Sequence, residues 1–200
     1  MGTPRCLPLD GDDDELAVQK AGFLALLGGE TVTAAELGVR AGLGPTRGAT
    51  VVAALLARES ATVAGDGRVD GIAGLTLRPT RHRLTVAGST LHTWCAFDSV
   101  GIPASLAADA VAVTSCGGCG ERIEVRITAG EPPASEVRGW MPAAVPGETA
   151  LITNFCSLAD LFCSEDHLRI RRDPDGPGGD ICTLGEFAEI GRATWEHCTV

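Results

Sequence analysis

The apolar residues of this chain change their spacing near Pro79, and this change constrains the fold more than any other feature of the sequence. Before Pro79, helical spacing recurs in three stretches, at residues 16–28, 33–41 and 46–59. Thr33, followed by Glu36 three positions later, has the pattern of a capping box at a helix start. These three helices, followed by a turn at residues 65–67 and a strand-like segment at residues 74–78, predict a winged helix-turn-helix arrangement.

Beyond Pro79 the pattern is that of short strands mixed with helices. Alternating polar and apolar residues predict a β-hairpin from residues 81–86 and 89–94. A helix is expected to start at about Trp94 and to be interrupted near Pro103, because proline disfavours helical geometry in the residue before it. Further strands are expected at residues 110–115, 122–128 and 150–155, a helical turn at 165–167, a loop at 174–179 and a helix at 183–197.

The expected fold class is therefore α+β, in three parts. Residues 1–15 contain two prolines and five acidic residues and are expected to form a mobile tail. Residues 16–80 would form the winged-helix-like module of three helices. Residues 81–200 would form a mixed α+β domain with a small sheet.

The charge balance argues against nucleic acid and membrane partners. The net charge is −10 at pH 7, and phosphate backbones and anionic lipids repel such a chain unless its positive charge is concentrated. Residues 44–58, which would read DNA in a winged helix, have only Arg47 and Arg58 as basic residues. The N-terminus is acidic where a signal peptide is basic and then apolar, and no run approaches 18 apolar residues. We therefore expect a cytoplasmic protein.

Cysteine is the most informative residue type in this composition. In a reducing cytosol, eight cysteines indicate metal binding or catalysis more than disulfides. Any single cysteine can also be a small buried hydrophobic residue. The eight are Cys6, Cys95, Cys116, Cys119, Cys156, Cys163, Cys182 and Cys198.

Cys95 lies where a predicted strand passes into a predicted helix. Free backbone N–H groups and the helix dipole favour a thiolate in a first helical turn, so we expect a lowered pKa for Cys95. Asp98, three positions later, lies on the same helix face and is close enough to exchange a proton. Its charge opposes the low pKa, so the pair suits proton transfer better than permanent activation. The alternative is a buried cysteine beside an aspartate that only stabilises the helix.

A second candidate, Cys156, follows the apolar residues 150–155. A soft metal ion with two ligands prefers two thiolates that face each other across it. Cys95 and Cys156, on different elements, are able to supply that geometry. Taken alone, Cys156 fits a core position equally well.

Together these segments resemble the organomercurial lyases, also called alkylmercury lyases. That family also carries a degenerate winged-helix-like module that does not bind DNA. The element order resembles the family from about residue 16 onward. The specific part of the resemblance lies in residues 91–98 (LHTWCAFD), 102–104 (IPA), 116–120 (CGGCG) and 154–156 (NFC).

The resemblance implies protonolysis of a carbon–mercury bond, in which R–Hg⁺ and a proton become R–H and Hg²⁺. Cys95 and Cys156 would hold the substrate and product mercury as thiolates, and Asp98 would carry a proton that came from one of the thiols. A second sulfur loads electron density onto mercury and weakens its bond to carbon. The implied partners are organomercurial small molecules, with external thiols or a mercuric reductase as the acceptor of Hg(II).

Cys119 departs from the family pattern, which more often has threonine at this position. Cys116-x-x-Cys119 is half of a zinc knuckle, but local spacing does not supply a second half. We therefore expect no resident cofactor, with a structural zinc or a redox-active pair as alternatives to inert packing. His92 and His167 have no evident partner and are expected in core or surface roles. The remaining thiols fit either auxiliary mercury ligands or incidental buried residues: Cys163, Cys182 and Cys198.

The main alternative function is a winged-helix sensor of metals or thiols without enzymatic activity, which the N-terminal helices and the cysteines would also suit. A third hypothesis keeps the lyase fold but changes the substrate to another organometallic compound, or makes the protein a metal carrier. Asp98 argues against the carrier, because sequestration needs no proton relay.

Overall fold

The first part of the chain is a unit of three helices. The computed structural model describes residues 11–143, 150–172 and 178–199. Its first helices are α1 (Asp13–Leu27), α2 (Ala34–Arg40) and α3 (Pro45–Ala57). The predicted capping box is confirmed, since Thr33 Oγ1 accepts the Glu36 N–H at 3.2 Å and Glu36 Oε2 accepts the Thr33 N–H at 2.7 Å. Helices α2 and α3 approach closely through glycines, because a Cβ added at Gly48 would lie 2.1 Å from Gly38 Cα.

Helix α1 begins inside the segment predicted as a tail. The Asp12 carboxylate accepts the Glu15 N–H at 2.9 Å and caps the helix, and three acidic residues occupy the first turn. Acidic side chains there interact favourably with the helix dipole. Residues 1–10 lie outside the described residues. Among the described residues, no helix combines the length and the apolar character that crossing a bilayer requires.

An antiparallel sheet of seven strands continues through the middle of the chain. Its order is β1-β2-β3-β5-β4-β6-β7. The predicted hairpin is confirmed as β4 and β5, and the predicted strands at 110–115 and 122–128 are confirmed as β6 and β7. The strands are β1 (Ala61–Val63), β2 (Val69–Ile72), β3 (Leu75–Thr76), β4 (Arg83–Val86), β5 (Ser89–Thr93), β6 (Ala110–Ser115) and β7 (Arg122–Ile127).

This sheet is larger than the sequence indicates, because strands from both predicted parts join it. Strand β3 pairs with β5, with Leu75 opposite Thr93, so hydrogen bonding is continuous across residue 80. The mixed α+β class is confirmed. The winged-helix assignment and the division at residue 80 stay predictions.

The remaining elements include a three-stranded antiparallel sheet in the order β10-β8-β9. Helix α4 packs on α6 so closely that a Cβ at Gly191 would lie 2.2 Å from Gly101 Cα. The Phe97 ring packs on Phe187 and Trp195 at centroid distances of 5.3 and 5.2 Å. These elements are α4 (Ala96–Ser105), β8 (Arg138–Pro142), β9 (Leu161–Phe162), α5 (Glu165–Arg171), β10 (Gly179–Thr183), α6 (Leu184–Thr194) and α7 (Glu196–Thr199).

Two local predictions are wrong. Helix α4 is not interrupted at Pro103 but continues to Ser105, because the helix is buried along nearly its whole length and packing against α6 holds its last turn. The expected strand at residues 150–155 is instead a π-helical turn at Ile152–Cys156. Its buried residues, Phe155 and Cys156, follow buried Leu151 at helical spacing, and a short apolar run does not distinguish helix from strand. The predicted loop at 174–179 lies largely outside the described residues.

Candidate active site

Cys95 and Asp98 are positioned by the junction between β5 and α4. The strand ends at Thr93, whose hydroxyl donates to the Cys95 carbonyl at 2.9 Å. Cys95 has extended backbone geometry and is the N-cap of α4. Asp98 is the third residue of the helix, and its Oδ2 accepts the Cys95 N–H at 3.0 Å. The local sequence therefore holds the carboxylate beside the thiol, as predicted.

Cys156 reaches the same place from the π-helical turn. The segment that follows it is fixed to the start of α4 by the Ala96 N–H, which donates to the Ala159 carbonyl at 3.1 Å. The turn is also tied to the end of α3, since the Thr153 N–H donates to Glu59 Oε2 at 2.9 Å. The ligand atoms of Cys95, Asp98 and Cys156 all lie within 4.8 Å of one another. All three predicted site residues are thus brought together, and each is at most 4 % exposed.

Burial dominates the electrostatics of this cluster. It raises the pKa of Cys95 well above the ordinary thiol value, and the hydrogen bond to Cys156 and the Asp98 charge raise it further. The predicted lowering of the Cys95 pKa is therefore wrong, because removal from water outweighs the helix N-terminus. Burial also raises the pKa of Asp98 to about 7, although hydrogen bonds from Cys95 and Trp94 oppose the rise.

The pKa of Cys156 is raised as well. The bond from Cys95 lowers the pKa of Cys156, but burial and the charges of Asp98 and Glu59 leave it above the ordinary value. Burial therefore keeps both site thiols protonated at neutral pH. An aspartic acid that exchanges protons near neutral pH beside two sulfurs is suited to proton transfer at a soft metal.

Apolar groups and one glycine enclose the cluster. The rings of Phe97, which is next to Asp98 in sequence, and Phe155, which is next to Cys156, meet edge to face with centroids 6.3 Å apart. Gly74 has a left-handed φ of +85°, and a Cβ there would lie 3.1 Å from both Asp98 Cγ and Trp195 Cζ2. The Trp195 Nε1–H donates to the Ala73 carbonyl at 2.8 Å and fixes that ring. The Asp98 carboxylate therefore packs so closely on Gly74 and Trp195 that a methyl group at position 74 would not fit without a shift of these neighbours.

A second cluster of ligand-type side chains lies between the β6–β7 turn and the start of α5. It contains Cys116, Cys119, Cys163 and His167, whose ligand atoms all lie within 4.8 Å of one another. His167, which has no evident partner in the sequence, does have one in the structure, since its Nδ1 lies 2.9 Å from Cys163 Sγ. Sequence reasoning found the Cys-x-x-Cys pair but not its partners. The three residues between Cys163 and His167 have the spacing of a pair of metal ligands, and this spacing could have identified the partners from the sequence.

The other predicted candidates lie elsewhere. Cys182 on β10 and Cys198 on α7 are buried and belong to neither cluster among the described residues. His92 Nδ1 accepts the Thr80 N–H at 3.0 Å, in a structural role. Cys6 lies outside the described residues.

Comparison with known proteins places the chain in one family. The family model for MerB, alkylmercury lyase, matches residues 75–196. The alkylmercury lyases of Bacillus cereus and Clostridium butyricum are each 30% identical over 172 residues, covering 84% of this chain and 75% of theirs. That of Streptomyces lividans is 32% identical over 105 residues, covering 50% of this chain and 47% of its own.

The fold comparison agrees. The structure titled "Crystal structure of the mercury-bound form of MerB2" superposes with a TM-score of 0.84, covering 92% of this chain and 91% of that one at 23% identity. The predicted resemblance is confirmed, and the alternative of a sensor without enzymatic activity is set aside. This chain belongs to the alkylmercury lyase family, and it is an enzyme that cleaves the carbon–mercury bond of organomercurials.

Proposed function

We propose that the carbon–mercury bond is cleaved between Cys95 and Cys156, with Asp98 carrying the proton. The observation that carries this proposal is the convergence of two sulfurs and one carboxylate within 4.8 Å in the buried interior. Mercury prefers thiolate ligands, and two thiolates on different elements suit a two-coordinate soft ion. A third group that exchanges protons completes the set that protonolysis needs.

The helix start, where Asp98 Oδ2 accepts the Cys95 N–H, suggests the order of events, because it pairs Cys95 with the proton carrier. Cys156 first displaces the leaving ligand X from R–Hg–X, and its proton departs with X as HX. Cys95 then adds its sulfur to mercury and gives its proton to Asp98. Asp98 delivers this proton to the carbon, which leaves as R–H. Mercury stays bound to both sulfurs as Hg(II), and Asp98 returns to its starting state.

The acidity of Asp98 suits this relay. Its pKa of about 7 allows the carboxyl group both to accept a proton from a thiol and to release it to carbon near neutral pH. Exclusion of water from the cluster strengthens these electrostatic interactions. The raised pKa of Cys95 keeps its proton in place until mercury binds to the sulfur and makes it more acidic.

The product requires an acceptor. Hg(II) held by two buried thiolates is released by exchange with other thiols, so we propose external thiols or a mercuric reductase as the next partner. A cytoplasmic location, where reduced thiols are abundant, is consistent with this step and stays a prediction.

Mass spectrometry after a single turnover tests the proposal. The full chain, freed of external thiol, receives one equivalent of phenylmercury and is weighed by electrospray ionisation. We expect a mass gain of mercury alone, with the phenyl group released as benzene. Cys95→Ala should bind phenylmercury without cleaving it, so its mass should increase by mercury plus the phenyl group. Cys182→Ala, a buried cysteine outside both clusters, is the matched control and should cleave at the parent rate. Full-rate cleavage by Cys95→Ala would refute the assignment.

A further inference from the structure

We propose that Cys116, Cys119, Cys163 and His167 form a tetrahedral site for a structural zinc ion. Two ligands come from the turn that joins β6 to β7, and two come from the start of α5. The sequence spacing is C-x2-C followed by C-x3-H, and three cysteines with one histidine are a common structural zinc set. With four protein ligands the site leaves no open position for catalysis.

The distances fit a shared ion better than a disulfide. Zinc–sulfur bonds of about 2.3 Å at tetrahedral angles place two sulfurs about 3.8 Å apart. Cys119 Sγ and Cys163 Sγ are 3.7 Å apart, whereas a disulfide would bring them to about 2.05 Å. His167 Nδ1 lies 2.9 Å from Cys163 Sγ, so the ring already points its nitrogen into the cluster.

The backbone is arranged to support a thiolate at Cys116. Its sulfur accepts N–H groups from Gly118 at 3.3 Å, from Cys119 at 3.5 Å and from Cys163 at 3.4 Å. Three thiolates and one neutral imidazole around Zn²⁺ leave one negative charge, and N–H donors to sulfur disperse it. One of these donors comes from the second segment, so both halves already meet at Cys116.

Close approach between the two halves depends on a glycine. A Cβ at Gly118 would lie 2.9 Å from His167 Cβ and 2.9 Å from the His167 carbonyl oxygen. His167 is also held by its own N–H, which donates to Ser164 Oγ at 3.3 Å at the start of α5. The turn and the helix are thus positioned for shared coordination rather than for packing of a larger side chain.

The site has a structural consequence for the active site, and this step rests on the proposed function. The segment from Cys156 to Cys163 is fixed at Ala159 by the start of α4, and at Leu161 by the Gly117 N–H at 2.9 Å. Zinc at Cys163 would fix its far end to the β6–β7 turn. The ion would thereby hold the segment that carries Cys156 against the helix that begins after Cys95.

Metal analysis of the full chain tests the site directly. The chain is purified under reducing conditions with zinc supplied, and its zinc content is measured by inductively coupled plasma mass spectrometry. We expect about one ion per chain. Cys119→Ser changes the exposed ligand and should weaken zinc binding at least about tenfold against a competing chelator. Cys182→Ser and Cys95→Ser should keep the parent affinity. When Co²⁺ replaces zinc in the unmodified chain, the absorption spectrum should show the bands of tetrahedral cobalt and of thiolate-to-cobalt charge transfer. This measurement does not depend on the folding of any variant.

Two results would overturn the proposed zinc site. One is a chain that takes up no zinc, and the other is an octahedral cobalt spectrum without thiolate charge transfer. Zinc lost in Cys95→Ser but retained in Cys119→Ser overturns it too, because the ion would then lie in the active site. A chain that binds no zinc but cleaves phenylmercury would overturn the zinc site and leave the proposed function intact. A chain that binds zinc but does not cleave phenylmercury would overturn the proposed function and leave the zinc site intact.

The positioning step has its own readout. Zinc removal should expose Cys156 to alkylation by iodoacetamide, mapped by peptide mass spectrometry, while Cys198 stays protected as the buried control on α7. Equal protection of Cys156 with and without zinc would show that the ion does not hold that segment.

Discussion

The Asp98 carboxylate accepts the backbone N–H of Cys95 at 3.0 Å, so one acid both caps helix α4 and lies beside the first site thiol. This bond is local, because its donor lies only three residues before the carboxylate in the sequence. Cys156 is then delivered to the pair by tertiary contacts. In the proposed function, this arrangement divides the work between two metal ligands and one proton carrier.

Asp98→Asn should separate metal binding from bond cleavage. The asparagine amide oxygen is able to accept the Cys95 N–H, so the helix start should persist, but the side chain no longer carries a proton. We expect Hg²⁺ binding to be kept and cleavage of phenylmercury to slow by roughly 10²–10⁴-fold. Benzene release and Hg²⁺ titration measure the two effects. Equal loss of both would contradict the division of work.

The raised pKa of Asp98 predicts a pH dependence of stability. Its folded value of about 7 exceeds the unfolded value of about 3.9, so the folded state binds more protons between these values. The stabilisation is complete below about pH 4 and is lost as the pH rises through 7. Relative to Asp98→Asn, the free energy of unfolding should therefore fall between pH 4 and 7 and then level off.

Denaturant unfolding of both proteins across this range provides the measurement. Groups common to both cancel in the difference, including His82, whose burial lowers its pKa to about 3 and acts in the opposite direction. A difference that stays flat from pH 4 to 7 would show that Asp98 is not protonated in the folded protein.

Gly74→Ala should disturb the site through Asp98. Alanine at a left-handed φ costs roughly 1–2 kcal/mol, and at Gly74 the added methyl would also press on Asp98 and Trp195. Gly88→Ala is the matched control, because Gly88 has a φ of +79° with no neighbouring atom within 4 Å. We expect Gly74→Ala to lose more stability in urea than Gly88→Ala, and to slow cleavage where Gly88→Ala does not. Equal losses in both would argue against contact with Asp98.

Turnover should depend on free thiol. With Hg(II) bound by two sulfurs that are at most 3 % exposed, the chain should complete one cleavage and then stop. Added dithiol should restore repeated benzene release. Several turnovers in the absence of any thiol would mean that mercury does not remain on Cys95 and Cys156.

Features set by nearest neighbours along the chain could be predicted. The Thr33–Glu36 capping box, the β4–β5 hairpin and the placement of Asp98 beside Cys95 each depend on a few consecutive backbone angles. The π-helical turn that carries Cys156 could not be predicted, because the apolar run before it is too short to distinguish a helix from a strand. The sheet that crosses residue 80 is likewise long-range, since β3 pairs with β5.

By itself, the sequence indicated which residues are the candidates for the chemistry: an acid three positions after a cysteine, and a second cysteine in a segment that resembles the family. Only the tertiary structure decided their acidity, because removal from water depends on the whole fold, and here it raises the pKa of Cys95 where the helix end alone would lower it. Tertiary structure also joined Cys163 and His167 to the Cys-x-x-Cys turn. Spacing along a chain reports only neighbours within a few residues, whereas ligands around one point are selected by packing between distant segments.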